Sequence, residues 1–333
     1  MFNRILVPLD QSSLAEQALG TAEAIAHASH GELSLVLAHR MAPYDGSLVG
    51  SWSDAKDPAE SVYIRAIVDE VARGSGVTVG GTVATGMPAE TICRRAREIG
   101  ADLIVMTSHG RTGVSRAWLG SVADGVVRTA SVPVLVLRAT DDAPAMGRGH
   151  PIPLFRRILV PLDGSTTSSA ILSSAAELAK CDNARLIFLR VVAPVPLFVI
   201  DPQIPAYPTN IEDPDATKQV ADATREELNE VASAMEHEYS LNVETLVVVS
   251  GRTAHAILAS AERHAADLIA MTTHGRGVSR FVLGSVTDKV LRGGHLPMLL
   301  LHPTAHLAGR VGVRSAAAVT EPSPKTVADA RSA

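Results

Sequence analysis

Two short stretches of this chain carry the residue types that hold phosphate. Met106-Thr107-Ser108-His109-Gly110-Arg111 is followed by Leu119-Gly120-Ser121-Val122, and the order returns as Met271-Thr272-Thr273-His274-Gly275-Arg276 followed by Leu283-Gly284-Ser285-Val286. Each copy stands behind an apolar run and ahead of a helix-like stretch. A strand that ends in glycine-containing sequence and leads to a helix presents backbone N–H groups at a positive helix terminus, which suits an anion. Gly110 permits close backbone approach, and Gly120 opens the helix without a Cβ in the way. Ser121 offers a hydroxyl and an N–H, and Arg111 has the charge to neutralise phosphate. The plainer reading is a Gly-Ser helix start after an ordinary connection, and spacing alone does not choose between the two.

A second pair of residues repeats with them. Arg4-Ile5-Leu6-Val7-Pro8-Leu9-Asp10 matches Arg157-Ile158-Leu159-Val160-Pro161-Leu162-Asp163 residue for residue. Asp10 and Asp163 each end an apolar strand. They read as helix caps, since Asp is a favoured cap. A phosphoacceptor site of the receiver type is disfavoured, because Gly86-Met87-Pro88 and Arg138 stand where its phosphoacceptor and lysine belong. The histidines show no ligand spacing with an acidic or Cys partner, so no metal site is expected. Cys93 and Cys181 read as helix-packing residues. A nucleophile elbow, a Walker loop and an HExxH motif are all missing, and Asp10-Gln11-Ser12-Ser13 replaces a glycine-rich first loop.

The elements that must position these residues also come twice. The offset between copies is 153 at Asp10 and Asp163, 165 at Gly86 and Gly251, and 164 at Pro133 and Pro297. The repeat is therefore a whole domain. Strands are expected at 5–9, 33–38, 77–85, 101–106 and 132–137, with helices at 14–29, 59–73, 88–99 and 121–129 between them. The second copy follows with strands at 158–162, 186–192, 243–250, 268–271 and 297–301, and helices at 168–179, 216–239, 253–264 and 285–292. Its extra length, Pro194 to about Pro214 with six prolines, reads as an extended loop. Strands apolar throughout and alternating with helices indicate a parallel sheet covered on both faces. Domains are expected at 1–138 and 155–302, with a linker at 139–154 and a mobile tail at 303–333.

Composition narrows the classes of function. With 333 residues, 46% hydrophobic and 20% charged, the chain has material for two soluble domains, and 3% aromatic content leaves the cores to aliphatic packing. A net charge of -5 gives no reason to expect nucleic acid. No apolar run approaches the roughly 18 residues of a membrane span. The strand-like start is expected to leave no room for a secretion signal, and two cysteines are too few for a disulfide framework. A cytoplasmic location is the expectation.

Together, His-Gly, nine residues beginning with Arg111, Gly-Ser-Val, and Val-Pro-Leu-Asp-x-Ser after the first strand resemble the universal stress protein family. The resemblance covers about residues 2–138 and 155–302. It implies two tandem copies of a five-stranded parallel α/β sandwich, Rossmann-like and of the adenine nucleotide alpha hydrolase-like kind. It also implies ATP, with Mg2+ as a further expectation, held by Gly, two residues, Gly, nine residues, then Gly-Ser or Gly-Thr. By resemblance Gly110, Gly120, Ser121 and Val122 match that pattern, and Asp10 matches the acidic residue near the adenosine. Thr107 and Thr272 replace the first glycine. Only eight residues separate Gly275 from Gly284. Val191 matches the apolar adenine wall, where the first copy is expected to have Arg40.

Two functions follow. One is a nucleotide-binding stress sensor or adaptor, at most a slow ATP hydrolase because no general base or arginine finger is evident. The other is an interaction scaffold that has lost the nucleotide. An adenylate-transferring enzyme is disfavoured by the missing first loop. The last strands, Pro133–Leu137 and Pro297–Leu301, read as apolar edges that need cover. The halves are therefore expected to pair within the chain as a pseudo-dimer, with a homodimer of two chains left open.

Overall fold

The computed structural model describes residues 1–39, 58–108, 119–138, 154–201, 204–273 and 283–302. The first half runs β1 (Arg4–Leu9), α1 (Ser13–Ser29), β2 (Glu32–His39), α2 (Pro58–Ser75), β3 (Val79–Thr85), α3 (Pro88–Ile99), β4 (Leu103–Thr107), α4 (Ser121–Thr129) and β5 (Val134–Leu137). The second half runs β6 (Arg157–Pro161), α5 (Thr166–Ser169), α6 (Leu172–Cys181), β7 (Arg185–Val192), β8 (Pro196–Asp201), β9 (Ile204–Glu212), α7 (Pro214–Tyr239), β10 (Val243–Val249), α8 (Thr253–Arg263), β11 (Leu268–Thr272), α9 (Ser285–Gly293) and β12 (Met298–Leu301).

Ten strands form one sheet in the order β10-β7-β6-β11-β12-β5-β4-β1-β2-β3. Within each half every pairing of this sheet is parallel. The halves meet where β5 and β12 run antiparallel, with Leu135 opposite Leu299 at the centre. So the predicted edge strands cover each other within the chain. Because neighbouring strand residues point to opposite faces, Ile5, Val7, Leu103 and Val105 join one core with α1, α2, α6 and α7. Leu6, Ile104 and Met106 join the other with α3, α4, α8 and α9. The continuous apolar strands of the sequence are thus explained by burial from both sides.

Two details cross the seam. Helices α1 and α6 touch on one face. On the other, Arg138, just after β5, donates from one guanidinium nitrogen to the carbonyls of Leu291 and Gly294 at the end of α9. A cation at a helix C-terminus is the favourable sense of the helix dipole. Burial lowers the pKa of Arg138 from its ordinary value.

Two segments differ from the sequence reading. The proline-rich insertion is not an extended loop but an antiparallel hairpin, β8 with β9, whose register shifts twice. Its β-branched and aromatic residues favour strand, and prolines are tolerated on edge strands, which both strands of a two-stranded ribbon are. The single helix expected at 168–179 is broken at Ala170–Ile171 into α5 and α6. There the hydroxyls of Ser168 and Ser169 both donate to the Ser165 carbonyl, at 3.0 and 3.1 Å. Such hydroxyls compete with the helix's own hydrogen bonds.

Candidate functional site

The chain leaves β1 through a turn that its own side chains hold. Asp10 Oδ1 accepts the Ser12 backbone N–H at 3.1 Å and the Ser12 hydroxyl at 2.6 Å. Ser12 Oγ accepts the Ala15 N–H at 3.1 Å and is the N-cap of α1. The second half repeats this: Asp163 Oδ1 accepts from Ser165 N at 2.9 Å and Ser165 Oγ at 2.5 Å, and Ser165 caps α5. The helix-cap reading of the two aspartates therefore falls to the serines. Each Asp fixes its cap from one step behind. The repeated Asp-x-Ser was the signal that assigns this role.

The chain leaves β4 through a second constrained turn. Ser108 N donates to Leu137 O at 2.8 Å, tying the end of β4 to the end of β5. Gly120 N then donates to Ser108 O at 2.8 Å, so the two ends of the 109–118 connection are pinned together. Gly120 is the N-cap of α4, with extended φ and ψ and no side-chain cap hydrogen bond. The first turn of α4 thus keeps its N–H groups uncapped by a side chain. In the second half Thr273 N reaches Leu301 O at 2.9 Å, Gly284 N reaches Thr273 O at 2.7 Å, and Gly284 is likewise an N-cap without a side-chain cap. Thr287 Oγ1 donates to Thr272 O at 3.0 Å, a further brace.

Sheet order brings these turns together. β1 lies between β4 and β2, so the chain winds one way from β1 to β2 and β3, and the other way to β4 and β5. The crevice between the carboxyl ends of β1 and β4 is the switch point, where open α/β sheets take ligands. Asp10 follows β1, Thr107 ends β4, and Gly120-Ser121-Val122 open α4 at the same end. In the second half Asp163, Thr272 and Gly284-Ser285-Val286 flank the gap between β6 and β11 in the same way. Ser121 and Ser285 are exposed at the helix starts. Thr107 and Thr272 are buried in their strands, so little of either is available to a ligand. Gly110, Arg111, Gly275 and Arg276 lie outside the described residues, as does Arg40.

The electrostatics keep the helix starts positive. Asp124, in the first turn of α4, is taken up by a two-pronged pair with Arg128, both contacts 2.8 Å. The hydrogen bonds that Arg128 donates to Asp124 raise the Arg128 pKa above its ordinary value. Asp288 of α9 is held similarly by Arg292 at 2.9 Å. Among the described residues no group of three or more His, Cys, Asp and Glu side chains converges on a metal position. Nor is any described helix long and apolar enough to cross a membrane.

The register corrects one correspondence. β1 and β2 pair Leu9 with Leu37, and β6 and β7 pair Pro161 with Leu189. The 153-residue offset thus holds through β2 and β7, and the counterpart of Val191 is Ala38 rather than Arg40. Val191 pairs with Val248, and Ala38 with Ala84. The length difference between the halves falls after this strand. Both walls are consequently apolar and partly buried at this position.

A different asymmetry was missed. Gly164, at φ +83°, lies under the Arg190 guanidinium: a Cβ there would sit 2.6 Å from a guanidinium nitrogen. The first half has Gln11 at this turn, also with positive φ (68°), and Leu37 in place of Arg190. The second turn therefore meets a guanidinium from a strand position that carries an apolar residue in the first half. A glycine facing an arginine was its only signal in the sequence.

Comparison with known proteins places this geometry. The model of the universal stress protein family matches residues 1–138 and again 154–302. A universal stress protein of Methanocaldococcus jannaschii is 32% identical over 141 residues, spanning 41% of this chain and 83% of that protein. One from Mycobacterium tuberculosis is 28% identical over 214 residues, spanning 64% of this chain and 65% of its own length, just under two thirds. Among solved structures, a universal stress protein from Archaeoglobus fulgidus is similar in fold, with a TM-score of 0.61 at 22% identity, covering 90% of this chain and 96% of that one.

Proposed function

The chain belongs to the universal stress protein family, and from that premise we propose that its first half binds ATP at the switch point between β1 and β4. The carrying observation is the convergence there of Asp10 with an α4 N-terminus that no side chain caps. In this reading the Asp10 carboxylate accepts from ribose hydroxyls, and the N–H groups of Ser121 and Val122 receive phosphate at the positive helix end. Gly110 and Arg111 complete the cradle, and Mg2+ accompanies the phosphates. Thr107 serves as a wall of the crevice. The second half takes adenine nucleotide through Asp163, Val191, Gly275, Arg276, Gly284, Ser285 and Val286, with Thr272 as a wall of its crevice. Its shorter loop and Arg190 make it the weaker or differently selective site. The protein acts as a stress-response sensor or adaptor in the cytoplasm, read in its nucleotide-bound state.

Gly120→Asp tests this on the intact chain. Asp is a favoured N-cap, so the variant keeps or strengthens α4 while placing a negative charge where phosphate belongs. The expected result is a melting temperature near wild type without ligand, and a loss of most of the rise that ATP with Mg2+ gives the wild type. Equal rises in wild type and variant would remove the first-half site. No rise in either leaves the scaffold reading.

A further inference from the structure

Because β5 and β12 are antiparallel, the rim bearing the first half's switch point also bears the amino ends of the second half's strands. A depression of about 270 Å³ lies there, lined by Arg157, Arg185, Glu244, Arg263 and His264. A second hollow of about 270 Å³ adjoins it, sharing Arg157 and Arg185 and adding Arg156, Asn183 and Asn242. Four guanidiniums thus border one carboxylate.

The first half supplies an internal control. Asp102 accepts the backbone N–H groups of Asn3 and Arg4, at 2.8 and 3.1 Å, as Asp267 accepts those of Arg156 and Arg157, at 2.8 and 3.0 Å. The scaffold is the same, and the charges are not. Arg4 pairs across the strands with Glu32, and its Nε lies 2.9 Å from that carboxylate. At the matching register Arg157 pairs with Arg185, so the neutralising carboxylate has become a second guanidinium. At the end of the neighbouring helix, Glu98 is replaced by Arg263.

What remains to balance these arginines is thin. Glu244 stands 3.5 Å from Arg185 Nη1 and 3.5 Å from His264 Nδ1, the outer limit of a hydrogen bond in each case. Asp267 has both oxygens engaged by backbone N–H groups. Among the described residues no ion pair holds the side chains of Arg156, Arg157 or Arg263. Guanidinium forks match the oxygens of phosphate two at a time, which lysine does not. Clustering them without carboxylates costs stability unless an anion is taken up.

We propose that this depression is a binding site for a small polyanion carrying two or more linked phosphate groups. It is separate from the nucleotide crevice. From β4 to β6 the sheet advances four strand spacings, ~19 Å at about 4.8 Å each. The proposal does not rest on the nucleotide reading.

Pyrophosphate is the probe, titrated calorimetrically into the full chain. Arg185→Glu with Arg263→Glu gives the pocket the first half's charges on exposed side chains. The expected result is at least a tenfold loss of pyrophosphate affinity, with melting within a few degrees of wild type and the ATP-induced rise retained. Gly120→Asp with Gly284→Asp is expected to leave pyrophosphate binding in place. If the double arginine variant fails to fold, Arg263→Gln alone is expected to weaken binding about threefold. The proposal is overturned if wild type takes up no pyrophosphate, if the arginine variants bind it as wild type does, or if binding is lost only with the glycine variants.

Discussion

Ser12→Ala and Asp10→Asn together separate the turn's architecture from its chemistry. Ser12 makes two bonds: its oxygen accepts the Ala15 N–H at 3.1 Å, and its hydroxyl donates to Asp10 Oδ1 at 2.6 Å. Loss of an N-cap hydroxyl costs about 1 kcal/mol. A hydrogen bond to a charged group contributes about 1.5–3 kcal/mol, but both residues here are only half-buried, so water recovers part and about 1 kcal/mol remains. Ser12→Ala is therefore expected to cost about 2 kcal/mol, read as a fall of about 4–8 °C in the first calorimetric transition. Asp10→Asn keeps an oxygen that accepts from Ser12 and removes the charge, so its cost in stability is expected below about 1 kcal/mol. Its effect on ligand is expected to be larger. A tenfold loss of ATP affinity removes about 1.4 kcal/mol of ligand stabilisation at saturation, several degrees of the rise. If Asp10→Asn destabilises the free protein as much as Ser12→Ala and keeps the full ATP-induced rise, Asp10 is a turn anchor only, and the ligand role assigned to it is wrong.

Other outcomes follow from the same contacts. Arg138→Ala strips two carbonyls at the end of α9 of their charged donor and is expected to cost about 2–3 kcal/mol in urea unfolding; the control Arg128→Ala, at a half-buried i,i+4 pair, about 0.5–1 kcal/mol. Leu135→Ala and Leu299→Ala, both buried at the centre of the seam, are each expected to cost about 2–5 kcal/mol, and the pair less than the sum, because they share one cavity. Burial pushes the Cys181 thiol up to about 11 from 9.0. Alkylation by iodoacetamide at pH 8 is therefore expected to run about 100-fold slower in the folded chain than in urea, in proportion to the thiolate fraction. Since its folded pKa is the higher, Cys181 is expected to contribute stability that is present below pH 9 and lost as pH rises toward 11; equal alkylation rates would contradict this.

Local pattern made much of the fold legible. The strands are apolar throughout because both faces are covered, and that signature survives in a single sequence at Ile5–Leu9 and Leu103–Met106. Strand order does not. Nothing in the residues of β1 says that β4 lies beside it, so the switch point that unites Asp10 with Gly120 emerges only from the sheet. The hairpin was hidden by prolines, whose local meaning is loop until a partner strand is supplied. The misplaced partner of Val191 has another cause, since the sheet fixes register by hydrogen bonds and an alignment fixes it by resemblance. Of the site, Asp10, Thr107, Gly120, Ser121 and Val122 share one end of the sheet, while Gly110 and Arg111 fall outside the described residues.

Covalent linkage gives the β5–β12 seam a property that a dimer of separate domains lacks. Tethered strands meet at a fixed effective concentration, whatever the dilution, so the pairing is unimolecular and its melting is independent of protein concentration. Linkage also fixes stoichiometry: each first half is always matched with a second half, never with its own kind. Arg138 and His302 follow β5 and β12 at equivalent places, and they already differ. A self-paired domain must carry every change at its seam twice, once on each side. This chain is released from that constraint, and its halves are free to specialise without ever being separated.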